Sequence, residues 1–404
     1  MSERNSVINN LSDLDFAVAT QKFFATAMQL GRAIAIWREP NQDIVKGVCE
    51  LESIKFPYTL ESSPEGFLFC PFEANPSSPK QFIAADILIR SDQSALQLNP
   101  QRPLKEESID DFVKLFNAIQ PEDFDFKAFL NFSPETNEEK TRYVDLVDLC
   151  KKSIKDGVFQ KVVPARQAKV DLHEYFNPIT EFLKLSLAYP HAFVSLVYLP
   201  DQGLWIGATP ELLLSAAQNQ HFETVSLAGT QGVPADFDLS HAAWTQKEIE
   251  EQALVSRYIV NCFKQIRLRE FEEYGPKTVK AANLIHLKTV FRVDMKAVNF
   301  PELGSVMLNL LHPTSAVCGM PMAAASAFLK THEGFDRSYF SGYLGPVNID
   351  SHIQLYVNLR CGQIYNDGLV VFAGAGVTED SIAENEWEET QIKFRTLLNV
   401  ISQA

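Results

Sequence analysis

Phe193-Val-Ser-Leu-Val-Tyr-Leu-Pro-Asp-Gln-Gly-Leu-Trp-Ile-Gly207 consists of two apolar runs, Phe193 to Leu199 and Leu204 to Gly207, separated by Asp201-Gln-Gly203. Short β-rich runs joined through an Asx and a glycine carry the signature of a β-hairpin. The pattern returns near the C-terminus, where Gln354 to Ile364 and Leu369 to Ala373 flank Asn366-Asp-Gly368. The sheet is therefore expected to be at least partly antiparallel. Two strongly periodic helices follow, about Thr245 to Ile266 between the hairpins and about Glu384 to Ile401 after the second. A third is expected from Thr141, with Tyr143, Leu146, Val147, Cys150 and Ile154 at helical spacing and Asp156-Gly157 closing it into a strand Val158 to Arg166. Strands and helices in this mixture define an α+β fold.

Upstream, Ala33 to Trp37 and Phe82 to Ile89 alternate with turn-rich stretches such as Glu61-Ser-Ser-Pro-Glu-Gly66, again as antiparallel strands and loops would. Hydrophilic segments at Gln97 to Asp110 and Asn131 to Lys140 connect this part to the rest. One large α+β domain over 1–404 is expected, with 1–140 as a variable N-terminal part and 141–404 carrying the motifs.

A formal net charge of −15 opposes binding to nucleic acid or anionic membranes, and no lysine or arginine block reverses it locally. No apolar stretch is long enough to span a bilayer and no leader pattern opens the chain, so a soluble cytoplasmic protein is expected. The six cysteines have no metal-ligand spacing and read as reduced core thiols. Dinucleotide, P-loop, nucleophile-elbow and HExxH motifs are all missing.

Glu248 and Glu251 stand three residues apart at the head of an apolar stripe that runs on through Val255, Ile259, Cys262 and Ile266. Glu386, Glu389 and Lys393 repeat the arrangement ahead of Leu397 and Val400. Inward carboxylates require a cation, and oxygen-only ligation with retained waters suits Mg²⁺, although such spacings are most often solvated helical pairs. Lys161 sits among β-branched residues, either as a desolvated base or as an edge-strand guard against aggregation. Arg360 alternates with Tyr356 and Asn358 on what reads as one polar sheet face, suited to a carboxylate. Gly374-Ala-Gly376 is either an anion-binding turn or a tight turn alone.

A set of motifs resembles the chorismate-utilising enzymes, which include isochorismate, salicylate, anthranilate and aminodeoxychorismate synthases. In order they are Lys161-Val-Val-Pro-Ala-Arg166, Gly207-Ala-Thr-Pro-Glu-Leu212, Leu227-Ala-Gly-Thr230, Lys247-Glu-Ile-Glu-Glu251, His312-Pro-Thr-Ser-Ala-Val-Cys-Gly-Met-Pro321, Arg337-Ser-Tyr-Phe-Ser-Gly-Tyr-Leu-Gly345, Leu359-Arg360, Gly374-Ala-Gly376 and Glu386-Trp-Glu-Glu-Thr-Gln-Ile-Lys393. They span roughly Asp156 to Ser402. The resemblance implies two packed, largely antiparallel sheets with outer helices and a chorismate site between them. It implies Mg²⁺ held by Glu251 and Glu389 with Glu248 and Glu386 beside them. It implies Glu211 as general acid, Lys161 as the base that activates water, and Arg360, Gly374, Lys393 and Thr230 around the substrate. Ala316 and Phe340 resemble isochorismate synthases, where salicylate synthases tend to carry threonine and tyrosine, and Ala228 replaces the nucleophilic lysine of aminodeoxychorismate synthases.

The implied activity is an isochorismate synthase for menaquinone or siderophore biosynthesis. A salicylate synthase or a non-catalytic chorismate-binding subunit is the alternative. The implied protein is a monomer or weak dimer with no obligatory amidotransferase partner. Gln231, where arginine is common, and Met322, where lysine is frequent, depart from the pattern.

Overall fold

The computed structural model describes residues 6–9, 14–54, 59–99, 101–136, 139–217, 220–233, 237–281 and 284–401. Their strands form two large sheets and a small ribbon, and every described strand pair is antiparallel. The ten-stranded sheet runs Ser6–Asn9, Ala95–Leu98, Ile87–Arg90, Val45–Cys49, Ile34–Arg38, Phe193–Leu199, Gly203–Thr209, Cys361–Tyr365, Gly368–Gly374, Ala165–Val170. The eight-stranded sheet runs Glu272–Ala281, Leu284–Asp294, His221–Gly232, Leu212–Ala217, His352–Val357, Tyr343–Val347, Gly66–Cys70, Gln81–Ala84. The first 140 residues thus supply strands to both sheets.

The sheets pack face to face through aromatic side chains. Phe193 stacks on Tyr356 and Phe69 on Tyr339, each at 4.2 Å between ring centroids, and Trp37 meets Phe67 at 5.2 Å. Each such ring contributes about 2–3 kcal/mol by leaving water. Helices Phe16–Gln29, Glu106–Ala118 and Pro178–Ala188 cover the outer face of the larger sheet, and Gln246–Gln265 and Leu303–Leu311 that of the smaller. This is the expected α+β architecture.

The expected hairpin is present, with Leu199 opposite Gly203 and Val197 opposite Trp205. Three apolar runs read as single strands are each divided. Gln354 to Ile364 becomes His352–Val357 in the smaller sheet and Cys361–Tyr365 in the larger. The chain changes sheets between them, and Arg360 takes a left-handed φ of 49° at the crossing, off the strand face on which alternation places it. Phe82 to Ile89 likewise divides into Gln81–Ala84 and Ile87–Arg90 in different sheets. At that crossing the buried Asp86 carboxylate accepts hydrogen bonds from the Leu51 and Glu52 amides at 2.8 and 3.1 Å. Val158 to Arg166 divides at Pro164 into Lys161–Val162, paired with Gly319–Met320, and Ala165–Val170 at the edge of the larger sheet. A proline offers no N–H to continue a ladder.

Candidate active site

A cavity of about 720 Å³, partly open to solvent, lies where the sheets, the Arg360 crossing and the two glutamate-bearing helices meet. Glu211, Glu251, Ala316, Phe340, Arg360, Gly374, Glu389 and Lys393 all line it, gathered from elements scattered over nearly two hundred residues. Lys161 stands just outside the wall, fully buried, with Nζ 2.8 Å from Glu251 Oε1. Glu248 and Glu386 are not on the wall. Thr230 lies on the strand His221–Gly232, with its side chain outside the described residues.

Glu211 follows Pro210 at the end of Gly203–Thr209, where the chain leaves the larger sheet for the smaller. Its own amide donates to Thr209 Oγ1 at 3.3 Å and its carbonyl accepts from the Val357 amide at 2.9 Å, so its backbone is anchored. Burial pushes its carboxyl up to about 7, against the pull of Lys161, Lys393 and Arg360. A carboxyl in that range can deliver a proton near neutrality. Burial brings Arg360 down to about 10, opposed by Glu389 and Glu211. His286, which the motifs did not single out, also lines the cavity. Burial and Arg360 bring it down to about 3, so it is a neutral imidazole whose Nδ1 is 2.9 Å from the Gly229 carbonyl.

The glutamates are held singly by lysines. Lys161 pairs with Glu251 at 2.8 Å, Lys247 with Glu386 at 2.5 Å and Lys393 with Glu389 at 2.7 Å. Burial alone would raise Glu251, but Lys161 and its neighbours hold it below the usual carboxylate range. Glu386 is raised by burial and by Glu389, with Lys247 opposing. Lys247 opens the motif that ends at Glu251, but its pairing is not written there, because its partner lies 139 residues away on another helix.

Glu248 forms a capping box with Thr245, accepting from the Thr245 amide at 2.7 Å, and receives Gln231 Nε2 at 2.9 and 3.0 Å. Gly374 offers its carbonyl, not its amide, to Lys393 Nζ at 2.7 Å, while the Ala375 amide donates to Pro164. At Gly376 a Cβ would meet Glu251 Oε1 at 2.6 Å and Lys161 Cε at 3.2 Å, so the ion pair packs directly on a bare backbone.

Among the described residues no three acidic, histidine or cysteine side chains converge to hold a metal unaided. The donor set nevertheless suits a hard divalent cation completed by water and ligand oxygens. It is carboxylate throughout, and the buried Glu386 Oε2 makes no complete hydrogen bond.

The cavity thus sets the ion-paired Glu251 and Glu389 and the cations Arg360 and Lys393 around a carboxyl raised to about 7. The chain belongs to the chorismate binding enzymes, whose family profile it matches over residues 71–402. It is 28% identical over 246 residues to the vibriobactin-specific isochorismate synthase of Vibrio cholerae, a match covering 59% of this chain and 61% of that protein. It is 32% identical over 209 residues to isochorismate synthase EntC of Escherichia coli, covering 50% and 52%. The chain thus spans between half and three-fifths of these relatives' lengths. Its fold is similar to that of MenF, the menaquinone-specific isochorismate synthase of Escherichia coli, with a TM-score of 0.73 and 20% identity over 92% of this chain and 89% of that one.

Proposed function

We propose that this protein is an isochorismate synthase, binding chorismate in the 720 Å³ cavity and converting it reversibly to isochorismate. The observation that carries the reading is the convergence of Glu211, Arg360, Lys393, Glu251 and Glu389 on one cavity. Arg360 and Lys393 hold the substrate carboxylates. Water adds at C2 as Lys161 takes its proton, and the C4 hydroxyl leaves as water on receiving a proton from Glu211. To serve as base, Lys161 must enter the cycle as the neutral amine, having given up both a proton and its 2.8 Å bond to Glu251. Gly376 presents no Cβ to obstruct that pair.

Magnesium belongs to the same proposal. Glu251 and Glu389 would be its principal ligands, with Glu248 and Glu386 beside them. When bound it would supply positive charge to offset that of a substrate carboxylate. Ala316 and Phe340 leave the ring space without the hydroxyls associated with elimination, which favours isomerisation over salicylate formation. The reaction uses no ammonia, so the protein works without an amidotransferase partner, as a cytoplasmic monomer or weak dimer. No helix among the described residues is long and apolar enough to cross a membrane.

The test is a time course with chorismate and Mg²⁺, read by product chromatography with a coupled pyruvate assay. An equilibrium mixture of chorismate and isochorismate is expected. Stoichiometric pyruvate and salicylate would identify a salicylate synthase, and no conversion would overturn the reading.

A further inference from the structure

A second hollow of about 870 Å³ adjoins the cavity, and Pro210 and Leu227 line both. Lys280, Lys288 and His191 also line it, and none of its lining residues is a carboxylate. In a chain with 51 acidic and 36 basic residues, such a hollow departs from the surroundings. Lys288 lies on the strand Leu284–Asp294, two residues beyond His286 and therefore on the same face, about 7 Å further along. Its cross-strand partner is Leu227. Lys161, Lys247 and Lys393 are each held by a glutamate, whereas among the described residues Lys288 enters no ion pair.

We propose that Lys288 makes this hollow a cationic vestibule through which a dicarboxylate anion reaches the catalytic cavity, to be passed on to Arg360 and Lys393. The inference rests on the proposed function in taking chorismate as that anion. The physical need is clear, because a net charge of −15 repels a dianion at long range and only a local positive field at the mouth reverses this. Arg360 and Lys393 are themselves partly balanced by Glu211 and Glu389, so little of their field extends outward.

The experiment measures kcat/KM for chorismate and the association rate by stopped-flow tryptophan fluorescence, from about 10 mM to about 1 M salt, where the screening length falls from about 30 Å to about 3 Å. Lys288→Glu should lower both by about ten-fold at low salt, mostly through KM, and the deficit should vanish at high salt. Lys288→Gln should lose about three-fold, and Lys288→Arg should behave as wild type. Lys264→Glu makes the same change of charge roughly 20 Å along the helix from Glu251 and serves as control. If Lys288→Glu matches the control at every salt concentration, or its deficit persists at high salt, the vestibule is refuted while the proposed function stands. If the wild type neither binds nor converts chorismate, the proposed function fails and the vestibule falls with it.

Discussion

Replacing Glu211 with glutamine should make the protein nearly inactive and, above neutral pH, more stable. Burial raises this carboxyl from an ordinary 4.5 to about 7. Between those values the native protein retains a proton that the unfolded chain has released, so stability falls as pH rises through this window and stays reduced above it. At about 1.4 kcal/mol per pH unit, the native state loses about 3 kcal/mol by pH 8.5. A glutamine never ionises and escapes that loss, though its amide must find partners in the wall, an offset of about 1 kcal/mol. A net gain of about 2 kcal/mol is therefore expected at pH 8.5, and little or none at pH 5. Urea unfolding of both proteins at the two pH values reads the difference directly. The same substitution should lower kcat by about a hundredfold or more. Wild-type kcat/KM should decline as pH rises above about 7, because the protonated acid is lost. A variant no more stable than wild type at pH 8.5 than at pH 5 would mean that Glu211 is already ionised in the native protein and cannot be the acid.

Glu389→Gln should abolish turnover and metal-dependent chorismate binding with the fold intact by circular dichroism, and full wild-type activity in excess chelator would remove magnesium from the scheme. Gly376→Ala places a methyl 2.6 Å from Glu251 Oε1 and 3.2 Å from Lys161 Cε, so it should cost about 1–3 kcal/mol of stability and at least ten-fold in kcat; unchanged values would show that the Lys161–Glu251 pair gives way freely. Ala316→Thr with Phe340→Tyr should lower isomerisation and raise pyruvate release, measured by the coupled assay. Product ratios unaltered by the double substitution would mean that these two positions do not govern the outcome.

Much of this protein can be read along the chain. The Asp201-Gln-Gly203 and Asn366-Asp-Gly368 turns announce antiparallel pairs, and the helices at Gln246–Gln265 and Ala383–Leu398 follow from apolar spacing to within a few residues. These features are local, set by residues a few positions apart. The ordered motifs likewise name most of the side chains that line the cavity. What the pattern cannot carry is partnership across space. Alternation through Gln354 to Ile364 is the same whether one sheet or two receives it, so packing alone places Arg360 at a crossing with positive φ. The pairing of Lys161 with Glu251 and of Lys247 with Glu386, over 90 and 139 residues, exists only once helices and sheets have docked. His286 and Lys288 carry no motif, and they acquire meaning from the strand face they share beside the cavity. Periodicity reports which way a side chain points relative to its own element, whereas burial against distant elements sets its charge partners and its access to solvent.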